Sequence, residues 1–185
     1  MPLSVRRGTA DDLQGIVALT RELARETENG LELDVQRVTA GVAAGLTEGS
    51  TTPLVPRYWV ATVDDAVVGC LAISPEWSDW WNCCYWWITS IIVDAAHRRQ
   101  GVGRAMVQAM LDAAERESVQ TVNLRVEAKN DSARQFYVDM GFAADNSHIV
   151  MARGRKPDNS AVGDTGGDGS SQTEAEAEAE AADFT

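Results

Sequence analysis

Histidine and lysine are scarce in this chain of 185 residues: His97 and His148 are the two histidines, and Lys129 and Lys156 stand against fourteen arginines. Both histidines lie far from the cysteines, and nothing repeats the paired-cysteine spacing of zinc modules, so no metal is expected. Cysteine is nearly as rare. Cys70, Cys83 and Cys84 are odd in number and two of them are adjacent. That is a poor disulfide framework and fits a reducing compartment, with the thiols read as buried on strands. No uninterrupted apolar run is long enough to cross a bilayer, and no basic-then-apolar segment opens the chain. Neither a membrane nor export is therefore expected, and the expected location is cytoplasmic.

An excess of positive charge is missing too. The formal net charge is −12, and without a long basic stripe nucleic acid is a disfavoured partner. Most of that charge is local. Asp158, Asp164, Asp168, Glu174, Glu176, Glu178, Glu180 and Asp183 follow Pro157 with no Lys or Arg among them, which leaves the body at −4. The stretch GDTGGDGSSQ and the following TEAEAEAEAEAAD offer too little apolar surface to offset ordering entropy. A chain of this length holds one domain with a proper core. The expected organisation is a single domain over residues 1–156 and an acidic disordered tail over 157–185.

Within the body, helical and strand periods alternate. LSVRRG is a short strand candidate. TADDLQGIVALTRELARET has a Thr cap, acids in the first turn and Leu13, Ile16, Val17, Leu19 and Leu23 at helical spacing, which predicts an amphipathic helix. A second helix is expected within Asp34–Glu48. YWVATVDD and AVVGCLAIS read as strands joined at Asp64-Asp65, where adjacent acids favour a hairpin turn. The Trp-rich SPEWSDWWN reads as a loop, and CCYWWITSIIVD as a long strand with β-branched and aromatic residues on both faces. From Gly103 onward, Ala105, Met106, Ala109, Met110 and Ala113 form one face of a helix. TVNLRVEA is a strand, NDSARQFYVDM a helix opened by Asn130 or Asp131 and closed by Gly141, and FAADNSHIVMAR a final strand pair. This order implies a three-layer α/β domain, helices flanking a mixed sheet.

The chemistry concentrates in AHRRQGVGRAM, residues 96–106. A buried strand ends at Val93, a loop brings Arg98, Arg99 and Gln100, and Gly101 and Gly103 open a helix whose dipole points back at the loop. Backbone amides from Arg99 to Arg104 can then converge on a pyrophosphate. The P-loop ending Gly-Lys-Ser/Thr is absent, as are the third glycine and acidic ribose ligand of the dinucleotide fingerprint. A structural glycine turn remains the plain alternative. His97, beside Arg98 and Arg99, reads as a surface contact and not a base.

SIIVDAAHRRQGVGRAM, followed by LRVEAKNDSARQFYVDMGF, resembles the acetyl-CoA-binding core of the GNAT family of N-acetyltransferases. The likeness is specific from Trp87 to Phe142 and looser, by element order, from residue 3 to 153. The family motif Gln/Arg-x-x-Gly-x-Gly/Ala stands here as Arg98-Arg99-Gln100-Gly101-Val102-Gly103. The resemblance implies a GNAT-like fold with a mostly antiparallel sheet, and acetyl-CoA as co-substrate. By that resemblance Ile91, Ile92 and Val93 match the bulged strand that pairs with the pantetheine arm, a main-chain N–H of Ile91 or Ile92 polarising the thioester carbonyl. Arg98, Arg99, Gln100, Gly101, Val102, Gly103 and Arg104 match the pyrophosphate loop, Asn130 a cofactor contact, and Tyr137 the group that protonates the departing thiolate. A hydroxyl suits that role on chemical grounds, since a thiol of pKa near ~8.5 leaves more readily with a proton donor at hand. As residues alone, Tyr137 reads as packing beside Phe136, and Asn130 as a helix cap.

The acceptor side is less defined. No acid occupies the middle of Tyr85–Val93, and Glu76, Asp79 and Tyr85 are the nearby candidates for a general base. Glu76, Trp81 and Tyr85 are taken as substrate-side residues, because an aromatic wall with acids nearby welcomes a cationic amine. Trp86 and Trp87 face opposite ways on a strand, so at least one packs in the core; core or lid packing is the alternative for the loop tryptophans. The expected activity is transfer of an acetyl group from acetyl-CoA to a primary amine by direct attack on the thioester, with a small-molecule or peptide acceptor. A homodimer stays open. The competing readings are a catalytically silent acyl-CoA-binding sensor or regulatory module, and a nucleotide-binding protein without a magnesium signature.

Overall fold

A computed structural model of the chain describes residues 2–27, 33–47 and 55–145. The outer part of the expected final strand pair, residues 146–153, and the acidic segment beyond Pro157 lie outside the described residues. Five strands form one sheet in sequence order: β1 (Ser4–Arg7), β2 (Arg57–Val63), β3 (Ala66–Ser78), β4 (Cys83–Val93) and β5 (Thr121–Leu124). Neighbours are antiparallel except β4 and β5, which run parallel. The helices are α1 (Leu13–Thr27), entered through a single 3-10 turn, α2 (Val35–Leu46), α3 (Val102–Arg116) and α4 (Asp131–Asp139). Among the described residues no helix is long and apolar enough to cross a membrane.

Strand alternation divides the core between the two sheet faces. Val60, Cys70 and Ile92 point to one face, under Ile16, Val17 and Leu19 of α1 and Val42 and Leu46 of α2. Trp59, Ala61, Leu71, Ile73, Trp86 and Ile88 point to the other, under Val102, Met106, Val107 and Met110 of α3 and Tyr137 of α4. The expected three layers follow, with Trp86 in the core against Trp59, ring centroids 5.6 Å apart. Cys70 is buried, and Cys83 and Cys84 are half-buried, all three on strands and free.

Local chemistry accounts for the element ends. Asp34 Oδ1 accepts from the amides of Gln36 and Arg37 and caps α2, as short polar side chains do for orphan helix amides. Asp64 and Asp65 turn the β2–β3 hairpin at φ 53 and 63, the doubly left-handed pair that matches strand twist. Arg6 holds Asp12 through two bonds, 2.7 and 2.9 Å long, and ties β1 to the entry of α1.

Three expectations about extent are corrected. SPEWSDWWN is no loop as far as Ser78: β3 continues through Pro75, and the turn is confined to residues 79–82. Proline is tolerated there because β2 ends at Arg57, opposite Ile73, so Pro75 lies on an edge with no ladder partner to supply. β5 stops at Leu124 and not at Ala128, where its ladder with β4 ends opposite Ile88. Phe142 to Asp145, the start of the expected strand pair, have no regular structure.

Candidate active site

The decisive local feature is a bulge in β4. Ile88 pairs with Ile73 and Ser90 with Ala72, so Thr89 is the extra residue, and its hydroxyl donates to Ala72 O at 3.2 Å. An extra residue flips the alternation beyond it. Trp86 and Ile88 face α3 before the bulge, and Ile91 and Val93 do so after it. The bulge also lies where the parallel β4–β5 ladder stops, which leaves the edge of β4 open from Thr89 to Val93 among the described residues.

Hydrogen-bond parity identifies the groups on that edge. The Asp94 amide donates to Val68 O at 2.9 Å. Alternation therefore turns the main-chain groups of Ile92 toward β3 and those of Ile91 and Val93 toward the gap. The Val93 carbonyl accepts from Arg98 Nε at 2.9 Å, while Arg98 Nη2 reaches Glu26 of α1 at 2.7 Å. Arg98 is thus committed to the protein. The Ile91 amide, past the last β5 pair, has no partner among the described residues on the open edge.

Next along the chain Asp94 Oδ2 contacts His97 Nδ1 at 2.8 Å and Asp94 Oδ1 accepts from the Ala96 amide. The His97 bond, with the Ala96 amide, holds the Asp94 carboxyl below the usual carboxylate range. The turn then passes through Arg99 at φ 61 and Gly101 at φ 84, the N-cap of α3. Gln100 folds back onto Ala96 O, and Arg104 Nη1 lies 3.2 Å from Met140 Sδ. The first helical bond is Ala105 N to Gly101 O, so the amides of Val102, Gly103 and Arg104 point out of the helix N-terminus without intrahelical partners. Left-handed residues on either side of Gln100 and a helix dipole behind them give the turn a shape and polarity suited to an anion.

Gly103 links this turn to the strand. A Cβ there would lie 3.6 Å from Phe136 Cζ and 3.8 Å from Ile91 Cδ1, ordinary contact distances. Ile91 of β4, the start of α3 and Phe136 of α4 therefore meet at one point. Tyr137 follows on α4, 9% exposed, its ring edge-on to Phe136 and Phe142 at 5.2 and 5.7 Å. No fully buried side-chain oxygen or nitrogen among the described residues lacks a partner, and no hydrogen bond among them involves the Tyr137 hydroxyl, so that hydroxyl is not fully enclosed. Burial raises its pKa above the ordinary phenol value. Asn130 Oδ1 accepts from the Ala133 amide at 3.0 Å and caps α4.

The substrate-side candidates lie elsewhere. Glu76 pairs with Tyr85 across the β3–β4 ladder, whereas Ile91 pairs with Leu71, five steps away or about 17 Å along the strand. Glu76 accepts from Trp87 Nε1. Asp79 and Trp81 sit in the hairpin turn, and Trp77, Trp80 and Trp81 are exposed, Trp80 by 89%. The structure does not bring Glu76, Tyr85, Asp79 or Trp81 to Ile91, and the exposed tryptophans form no lid. One residue escaped sequence reading: the Arg125 guanidinium lies 4.6 Å from the Trp87 ring centroid, at the mouth of the β4–β5 gap. Its signal, a basic residue just past the last apolar position of a strand, is too common to single out.

Known proteins resemble this chain in sequence and in fold. The Acetyltransferase (GNAT) family matches residues 30–142. A ribosomal protein bS18-alanine N-acetyltransferase of Escherichia coli K12 is 40% identical over 53 residues, which are 29% of this chain, and the chain spans 36% of that relative's length. Among solved structures, a possible acetyltransferase from Clostridium difficile 630 superposes with a TM-score of 0.73 at 29% identity, covering 84% of this chain and 100% of the other. An aminoglycoside acetyltransferase from a soil metagenome, in complex with sisomicin, shares the fold at a TM-score of 0.66 and 19% identity, over 83% of this chain and 97% of its own.

Proposed function

Because the chain belongs to the GNAT family of acetyltransferases, we propose that it is an acetyl-CoA-dependent N-acyltransferase in which a primary amine attacks the bound thioester directly. One observation carries this reading: the open Ile91 amide, the bare N-terminus of α3 and the aromatic end of α4 converge where the β4–β5 ladder ends. Gly103, without a Cβ, leaves room beside Ile91 and Phe136, and the residues present fit a pantetheine arm entering the gap. Acetyl-CoA, when bound, supplies the activated acyl group.

The residues of the chain divide the remaining work. The amides of Val102, Gly103 and Arg104, with the Arg99 and Arg104 guanidiniums, hold pyrophosphate charge. The Ile91 N–H donates to the carbonyl oxygen as negative charge builds on it. The Tyr137 hydroxyl, kept protonated by burial, gives its proton to the departing sulfur. No cysteine carries the acyl group in this reading. Cys70 lies in the α1–α2 core, where burial pushes its thiol up to about 12. Glu76, about 17 Å along the strand from Ile91, takes the amine's proton only through water.

Calorimetric titration with acetyl-CoA, CoA and ATP, followed by thiol release across an amine library, tests the proposal. Binding of acetyl-CoA and CoA but not ATP, with thiol release that requires an amine, is the expected result. Binding without turnover of any amine would overturn catalysis in favour of a sensor.

A further inference from the structure

Arg125 is placed and oriented without a charge partner of its own. Its guanidinium rests on the Trp87 indole, and Glu76 accepts the ring's Nε1–H, which fixes the indole from its edge. No salt bridge to Arg125 occurs among the described residues. A guanidinium held by stacking keeps its in-plane donors free, the fork geometry that recognises a carboxylate.

Its position matters as much as its charge. Trp87 lies on the sheet face opposite α3, since Trp86 points into the α3 core. A ligand entering over the α3 N-terminus would therefore meet an acceptor arriving from the Trp87 side. Trp87 pairs with Ser74 and Ile91 with Leu71, three ladder steps or about 10 Å apart. Resting on the N-acyltransferase reading above, we propose that Arg125 recognises a carboxylate on the acceptor, which makes the acceptor an amino acid with amine and carboxylate several bonds apart. The same fixed cation disfavours polycationic acceptors such as aminoglycosides.

The test uses the full chain and a series from glycine through β-alanine, 4-aminobutyrate and 6-aminohexanoate, each beside its carboxamide, with sisomicin as the polycationic control. Thiol release should give at least tenfold higher kcat/KM for the acids than for the amides, with glycine the poorest acid. Arg125→Gln should remove that preference while leaving amide turnover within a few fold, and Arg125→Lys, which keeps charge but loses the fork, should restore only part of it. Equal use of acids and amides by the wild type, equal loss of both in Arg125→Gln, or preferred turnover of sisomicin would overturn the proposal. A second readout is independent of turnover: calorimetric binding of N-acetyl-6-aminohexanoate and its amide in the presence of CoA. Acid-selective binding that vanishes in Arg125→Gln, in a chain that acetylates nothing, would keep the Arg125 site and refute the enzyme. Absence of that selectivity refutes the site whatever the activity.

Discussion

Tyr137 combines two demands that normally conflict. Its ring belongs to the core on the α3 face and touches Phe136 and Phe142, while its hydroxyl is unpaired among the described residues and not fully enclosed. Removal of that oxygen leaves the ring packing in place. Tyr137→Phe should therefore lower kcat by ten- to a thousandfold, the scale of lost general-acid assistance, with acetyl-CoA affinity within a few fold and the melting temperature nearly unchanged. Burial raises the phenol pKa, so ionisation of Tyr137 should cause no fall in kcat below about pH 10. Steady-state kinetics as a function of pH, with calorimetry on the variant, checks both. Wild-type kcat in the variant would make Tyr137 a packing residue.

Between β4 and α3 the two glycines have different duties. Gly101 sits at φ 84, where an L side chain is strained whatever the space; a Cβ at Gly103 meets only ordinary contacts. Gly101→Ala should thus lose about 1–2 kcal/mol of stability. Gly103→Ala should melt close to the wild type and bind CoA at least tenfold more weakly, about 1.4 kcal/mol, because the added methyl would narrow the space between Ile91 and Phe136 that the cofactor enters. Thermal melts and calorimetric titration separate the pair. Unchanged CoA affinity in folded Gly103→Ala would remove the α3 N-terminus from the site.

For the molecule as a whole, acid stability should hang partly on the Arg6–Asp12 bridge that joins the first strand to the first helix. Burial alone would raise the Asp12 carboxyl, but bonds from Arg6 and Thr9 outweigh it and hold the group below the usual carboxylate range. A depressed folded pKa adds stability that is present above the unfolded value near ~3.9 and lost as pH falls through the folded one. Asp12→Asn should cost about 1–3 kcal/mol at pH 7. The gap between variant and wild type should shrink below about pH 4. Denaturant melts at pH 7, 5 and 3 check this, and a constant gap would assign the loss to packing instead.

What was legible in the sequence was local. The Asp64-Asp65 turn, the α3 start at Gly101 and the Asn130 cap depend on neighbours a few residues away, and the separation of Trp86 from Trp87 depends on strand period alone. The glycine–arginine turn stood out for the same reason, since motif spacing is a property of the chain, whereas Tyr137 was singled out only by the family resemblance. The tertiary structure alone decided how pairing partners end. Pro75 looks like a breaker until β2 is seen to stop opposite Ile73, and only the pairing of Ala72 with Ser90 shows that Thr89 is a bulge. That extra residue reverses every side chain after it, assigns the open amide to Ile91 and not Ile92, and separates β4 from β5. Arg125, just past the end of that ladder, folds back onto Trp87, which pairs with Asn123. Periodicity cannot foresee such contacts, because they arise from the free energy of strands chosen by the whole sheet and not from the residues adjacent in sequence.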